Sequence, residues 1–199
     1  IASDGGAASV TLAGTGVAPV LSVSPLSVNF ANVLVGTTSP AQSVTITNSG
    51  TASLTISTIT LSGASFALDA SATSLLLAPA ASTSFSVRFA PTSSGAASGS
   101  VAIASDGGAA SVTLAGTGVA PVLSVSPLSV NFANVLVGST SAAQSVTLTN
   151  SGSAPLTISS ITLSGASFSL DTSATSLLLA PTASTSFAVR FAPTSSGAA

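Results

Sequence analysis

The chain has 199 residues, 46% of them apolar and only 3% charged, and its formal charges are Arg88, Arg190, Asp4, Asp69, Asp106 and Asp171 alone. Ordinary soluble domains carry roughly 25% charged residues, and a net charge of −2 offers no footprint for nucleic acid or an anionic membrane surface. Lys, Glu, His, Cys, Met, Trp and Tyr are absent, which excludes disulfides, transition-metal ligand sets and the bases that activate a nucleophile.

The opening stretch, IASDGGAASVTLAGTGVAP, returns unchanged at residues 103–121. Residues 1–97 align without gaps on 103–199, a period of 102, and differ at ten positions (37, 40, 46, 51, 53, 58, 67, 70, 80 and 86). Such a period is too long for a solenoid coil and suits a string of autonomous domains. At its second appearance the stretch predicts the last hairpin of a domain, turning at SDGG, residues 105–108. At residues 1–16 it predicts the same hairpin with no domain ahead of it in this chain. Its apolar positions there, Ile1, Val10 and Leu12, are candidate assembly residues.

GTGVAP follows at residues 14–19 and again at 116–121. It predicts the interdomain joint, because Pro19 and Pro121 each precede a new strand and stiffen the connection. Further along, SVTITN alternates so that Val44 and Ile46 face inward. LTISTITL changes phase: Leu54 and Ile56 keep one parity, Ile59 and Leu61 the other, which places a bulge or strand switch near Ser57 and Thr58. In STSFSVRFAP, Phe85, Val87 and Phe89 share the inner face. Turn chemistry falls between these runs, at Asn48 to Gly50, Ser62 and Gly63, Ala78 to Ala80, and Pro91 to Gly95.

No window has helical spacing, and apolar runs such as LLLA at residues 75–78 stop far short of the ~20 needed for a membrane helix. About seven to nine short strands per period, with turns every 8 to 12 residues or so, is the profile of an immunoglobulin-like sandwich. With no Cys or Trp, the large core side chains are Phe30, Phe66, Phe85 and Phe89 in the first copy. In the second they are Phe132, Phe168, Phe187 and Phe191.

The ordered series LSVSPLSVNFANVLVG, QSVTITNSGTASLTIS, SGASF, LAP, VRFAPTSSG and VTLAGTGV resembles the bacterial tandem repeats called choice-of-anchor D domains. It is similar to the ASH, or Hydin-like, domains of the group that includes major sperm protein and PapD-like sandwiches. The resemblance covers essentially the whole chain. It implies an all-β architecture of tandem immunoglobulin-like (PapD/MSP-like) sandwiches used for structure or protein contact, and brings no catalytic residues. It also sets the expected boundaries: 1–16 as the terminal hairpin of a preceding repeat, 17–118 as a complete repeat, and 119–199 as a repeat short of its last hairpin. Two arrangements fit those ends. The chain is a window from a long covalent array, the favoured one, or a subunit whose N-terminal strand completes the open sandwich of the next molecule.

The remaining polar groups point to structure. Asp4 and Asp106 in DGG read as hairpin turns, since calcium loops need several carboxylates at fixed spacing. Arg88 and Arg190 stand at outward positions with Asp69 and Asp171, where a pair is worth about 0 to 1 kcal/mol. The outward Thr rows at 45, 47, 147 and 149 follow from β-propensity. The expected function is a structural repeat of a large bacterial extracellular filament or surface fibre, assembling through serial domains and strand complementation between units. A stalk of spacer domains in a cell-surface adhesin, or a Hydin-like interaction scaffold, are the alternatives. The expected partners are other copies of the chain, head to tail or side by side. No enzyme activity, cofactor, metal, nucleic acid or membrane insertion is expected.

Overall fold

The computed structural model describes residues 1–69, 75–172 and 177–197, and these form strands, turns and loops. Among them no helix is long and apolar enough to cross a membrane. The chain divides into two compact units, Ile1–Asn29 with Pro40–Arg88 and Ser98–Ala115, and Phe30–Ser39 with Phe89–Ala97 and Gly116–Ala199.

The N-terminal stretch makes a two-residue ladder, β1 (Ala2–Ser3) against β2 (Gly6–Ala7), antiparallel. The alternating runs then form β3 (Leu21–Ser24), β4 (Ser27–Leu34), β5 (Gln42–Asn48), β6 (Leu54–Ser62), β7 (Phe66–Asp69), β8 (Leu75–Leu77), β9 (Ser82–Phe89), β10 (Gly95–Ser105) and β11 (Gly108–Val119). They assemble into a four-stranded sheet, β3-β5-β9-β7, and a five-stranded sheet, β4-β11-β10-β6-β8. Period-2 alternation decides which side chains leave water. Val44 and Ile46 of β5 and Phe85 and Val87 of β9 are buried from the first sheet, and Val101 and Ile103 of β10 with Val112 and Leu114 of β11 from the second. The expected phase change is a register shift: Ala104 pairs with Thr58 and Ser105 with Ile56, so Ser57 is skipped. The hydroxyl of Ser57 donates to the Ala104 carbonyl at 3.0 Å.

The second copy continues as β12 (Leu123–Ser126), β13 (Gln144–Asn150), β14 (Leu156–Thr157), β15 (Phe168–Asp171), β16 (Leu178–Leu179) and β17 (Ser184–Phe191). Its four-stranded sheet, β12-β13-β17-β15, repeats the order of β3-β5-β9-β7. The rest does not repeat. β6 spans nine residues and its counterpart β14 only two. Residues 129–136, with the sequence SVNFANVL, form no strand, although the same eight letters form β4 in the first copy. Local propensity is identical, so the difference is tertiary. β4 and β6 owe their length to the ladder with the β10–β11 hairpin, and residues 129–136 and 158–164 have no such ladder among the described residues. Positions 198 and 199 lie outside the described residues.

Candidate assembly site

The two occurrences of the hairpin sequence are in opposite states. Ile103, Val112 and Leu114 are 1%, 0% and 2% exposed, while their counterparts Ile1, Val10 and Leu12 are 89%, 70% and 89% exposed. Burying an aliphatic side chain of this size is worth about 1.5–3 kcal/mol, so residues 1–17 carry an unspent apolar face.

The first copy shows what that hairpin does when seated. The amide of Thr113 donates to the Leu26 carbonyl at 3.0 Å, and the amide of Leu21 to the Gly107 carbonyl at 3.1 Å. Asp106 and Thr55 exchange two bonds: the Thr55 amide donates to Asp106 Oδ1 at 2.8 Å and the Asp106 amide to the Thr55 carbonyl at 3.2 Å. Asp106 is therefore a clamp as well as a turn residue. In the other unit, the Val35 amide donates to the Val119 carbonyl at 2.9 Å. Gly116 lies flat on Phe89, where a Cβ would stand 2.7 Å from the ring, and a Cβ on Gly118 would run into the Ser93 backbone oxygen. These glycines are required by close approach, not by backbone angle.

The counterpart surface of the second copy is open. Val130, Phe132, Phe168 and Phe191, all half-buried, line a cleft of 490 Å³, and an adjoining cleft of 330 Å³ runs along Val137, Phe191, Pro193 and Ser195. The three rings meet at tilted angles, with centroids 5.9 Å (Phe132 to Phe168), 6.0 Å (Phe132 to Phe191) and 5.0 Å (Phe168 to Phe191) apart. Leu136, which lines the adjoining cleft, is 79% exposed, and Leu128, two residues before Val130, is 91% exposed.

The expected joint residues sit on a feature hidden in the NSG motif. Asn48 is wholly buried. Its Nδ2 donates to the carbonyls of Ala52 at 2.7 Å and Leu77 at 3.0 Å, and its Oδ1 accepts from Gly50 at 3.0 Å and Val20 at 3.5 Å. The carbonyl of Ala18 accepts from Thr51 and Ala52, and that of Val20 from Ser49, so the segment around Pro19 is held on both sides. Gly50 lies against Pro19 so closely that a Cβ would stand 2.5 Å from the Val20 nitrogen. Asn150 repeats the clasp around Pro121 through Ala154, Leu179, Gly152 and Val122. An asparagine two residues before a glycine reads as a turn in sequence, and its burial at the end of β5 is not legible there.

The charged side chains form no chemistry-bearing cluster: among the described residues no three His, Cys, Asp or Glu gather to hold a metal ion. Arg190 Nη1 donates to the Ser141 carbonyl at 3.3 Å, and Asp171, paired with Ala188, lies diagonal to Arg190, paired with Ser169.

Residues 19–112 match the family described as "Abnormal spindle-like microcephaly-assoc'd, ASPM-SPD-2-Hydin" (ASH), and residues 121–199 match the "HYDIN/CFA65/VesB-like, Ig-like domain". No curated protein matches the chain significantly. Among solved structures, a protein of unknown function from Porphyromonas gingivalis W83 is 14% identical, with 86% of this chain and 83% of that one covered and a TM-score of 0.42. PapD-like domain 7 of human CEP192 is 17% identical, with 56% and 96% covered and a TM-score of 0.39. The CsuC-CsuE chaperone-tip adhesion subunit complex of Acinetobacter baumannii Csu pili is 12% identical, with 90% and 89% covered and a TM-score of 0.36. Likeness at this level carries no argument about function. The matched families and the all-β sheets agree: residues 19–112 belong to the ASH family and residues 121–199 to the HYDIN/CFA65/VesB-like immunoglobulin-like domains.

Proposed function

We propose that the chain is a structural repeat of a bacterial extracellular filament or surface fibre, in which serial sandwiches bear load and touch one another through apolar and hydroxyl side chains. The observation that carries this reading is the nearly charge-free composition, 3% charged. Ordinary surfaces stay apart through abundant mixed charge, whereas a Ser, Thr and Ala surface loses its water cheaply. Near-identity of the repeats supports it, since equal units take equal contacts and build a regular array. The Asn48 and Asn150 clasps favour a second reading, the stalk of an adhesin, because each fixes the chain around its proline. Negative-stain electron microscopy separates the two. Regular fibres with an axial repeat of one or two domain lengths, roughly 40 Å each, support the filament; separate strings of beads without lateral order support the stalk.

A further inference from the structure

We propose that the joint between the repeats is a rigid coupling, in which the peptide linking Val119 to Ala120 is pinned from both sides and hands the orientation of one repeat to the next. That peptide is a single plane. Its carbonyl, on Val119, accepts from the Val35 amide of the first repeat at 2.9 Å, and its N–H, on Ala120, donates to the Ser153 hydroxyl of the second at 3.2 Å. No freely rotating bond lies between the two attachments. All four residues fall in one compact unit, Phe30–Ser39 with Phe89–Ala97 and Gly116–Ala199, so the packing does not divide at the repeat boundary.

The torsions that follow are held in turn. The Ala120 carbonyl accepts from the amides of Ser153 at 2.8 Å and Ala154 at 3.1 Å, and Ala120 itself is confined to extended backbone because a proline follows. The ring of Pro121 fixes its φ. Val122 is tied at both ends, its amide to Asn150 Oδ1 at 3.4 Å and its carbonyl to the Ser151 amide at 2.8 Å. A flexible linker needs residues that answer to neither domain, and the run from Val119 to Val122 leaves none. The first copy has the same socket: the Ala18 amide donates to Thr51 Oγ1 at 3.2 Å, and the Ala18 carbonyl accepts from the amides of Thr51 and Ala52 at 2.8 and 3.2 Å. Positions 51 and 153 are among the ten at which the repeats differ, and the exchange of Thr for Ser keeps the hydroxyl. Ser153 is a positioning residue, and the coupling serves a filament and a stalk alike, so it stands apart from the choice between them.

The lack of native cysteine gives a clean test. Ser43→Cys and Ser145→Cys place nitroxide labels at equivalent exposed positions, one in each repeat, and double electron–electron resonance reads the spread of the distance between them. The labelled 199-residue chain is expected to give a single narrow distribution. Ser153→Ala is expected to broaden it, Ser153→Thr to keep the parent width, and insertion of Gly-Gly-Ser between Val119 and Ala120 to broaden it at least roughly twofold. Circular dichroism of each variant is expected to match the parent, so that a broader distribution reports the joint and not unfolding. A parent distribution as broad as that of the insertion variant, or a Ser153→Ala distribution as narrow as the parent's, overturns the proposal.

Discussion

Removing the side chain of Asn48 tests how the domain holds its entry segment. Asn48→Ala deletes both donors and the acceptor of a fully buried amide. The Leu77 carbonyl loses its 3.0 Å bond in a buried setting, where an unmet group costs about 1–3 kcal/mol. The Ala52 carbonyl and the Gly50 amide lose bonds of 2.7 and 3.0 Å in part-buried settings, at about 1 kcal/mol each because water reaches them in part. The expected loss is about 3–5 kcal/mol, a large share of the 5–15 kcal/mol or so that holds a typical domain. Urea denaturation followed by circular dichroism reads this as a lower midpoint at unchanged slope. Asn48→Asp sharpens the case: it keeps an oxygen for the Gly50 amide but turns another toward two carbonyls, and is expected to be at least as damaging as alanine. A loss below about 1 kcal/mol for Asn48→Ala, or a well-tolerated aspartate, would refute the clasp as a stabilising hub.

Three further substitutions follow from the geometry. Thr182 is an exposed β-branched residue at φ 66°, a region that costs an L-residue about 1–2 kcal/mol, so Thr182→Gly is expected to stabilise the second repeat by about 0.5–1 kcal/mol in thermal denaturation; destabilisation would contradict it. Phe89→Ala is expected to cost about 3–5 kcal/mol, whereas Phe191→Ala, at a half-buried ring, costs less than about 2 kcal/mol in chains too dilute to associate; equal losses would mean that the second repeat is as closed as the first.

Strand parity was legible in the sequence because alternation is a local property. Val44, Ile46, Phe85, Val87 and Phe89 are all buried as their spacing requires, and the skipped residue in β6 is Ser57, where the apolar phase changes. What the sequence could not reveal is non-local. SVNFANVL is a strand at Ser27–Leu34 and none at 129–136, so no window of those letters distinguishes the two. Likewise the four bonds of Asn48 converge from positions 2 to 29 residues away, and the motif itself carries only the turn. Ile1, Val10 and Leu12 stood out as an apolar stripe on an orphan hairpin, but the glycines that must lie flat on a phenylalanine appear only with the packed counterpart in view.

The claim that one hairpin decides the state of identical strands is tested most directly by hydrogen exchange on the 199-residue chain in dilute solution. Peptic peptides carried through Thr37 and Ser139, where the repeats differ, separate residues 27–37 from 129–139 by mass. Intrinsic exchange rates over the shared sequence are equal, so any difference reports structure alone. The account predicts that 27–34 exchanges roughly 1,000-fold more slowly than 129–136. Equal protection of the two segments would contradict it.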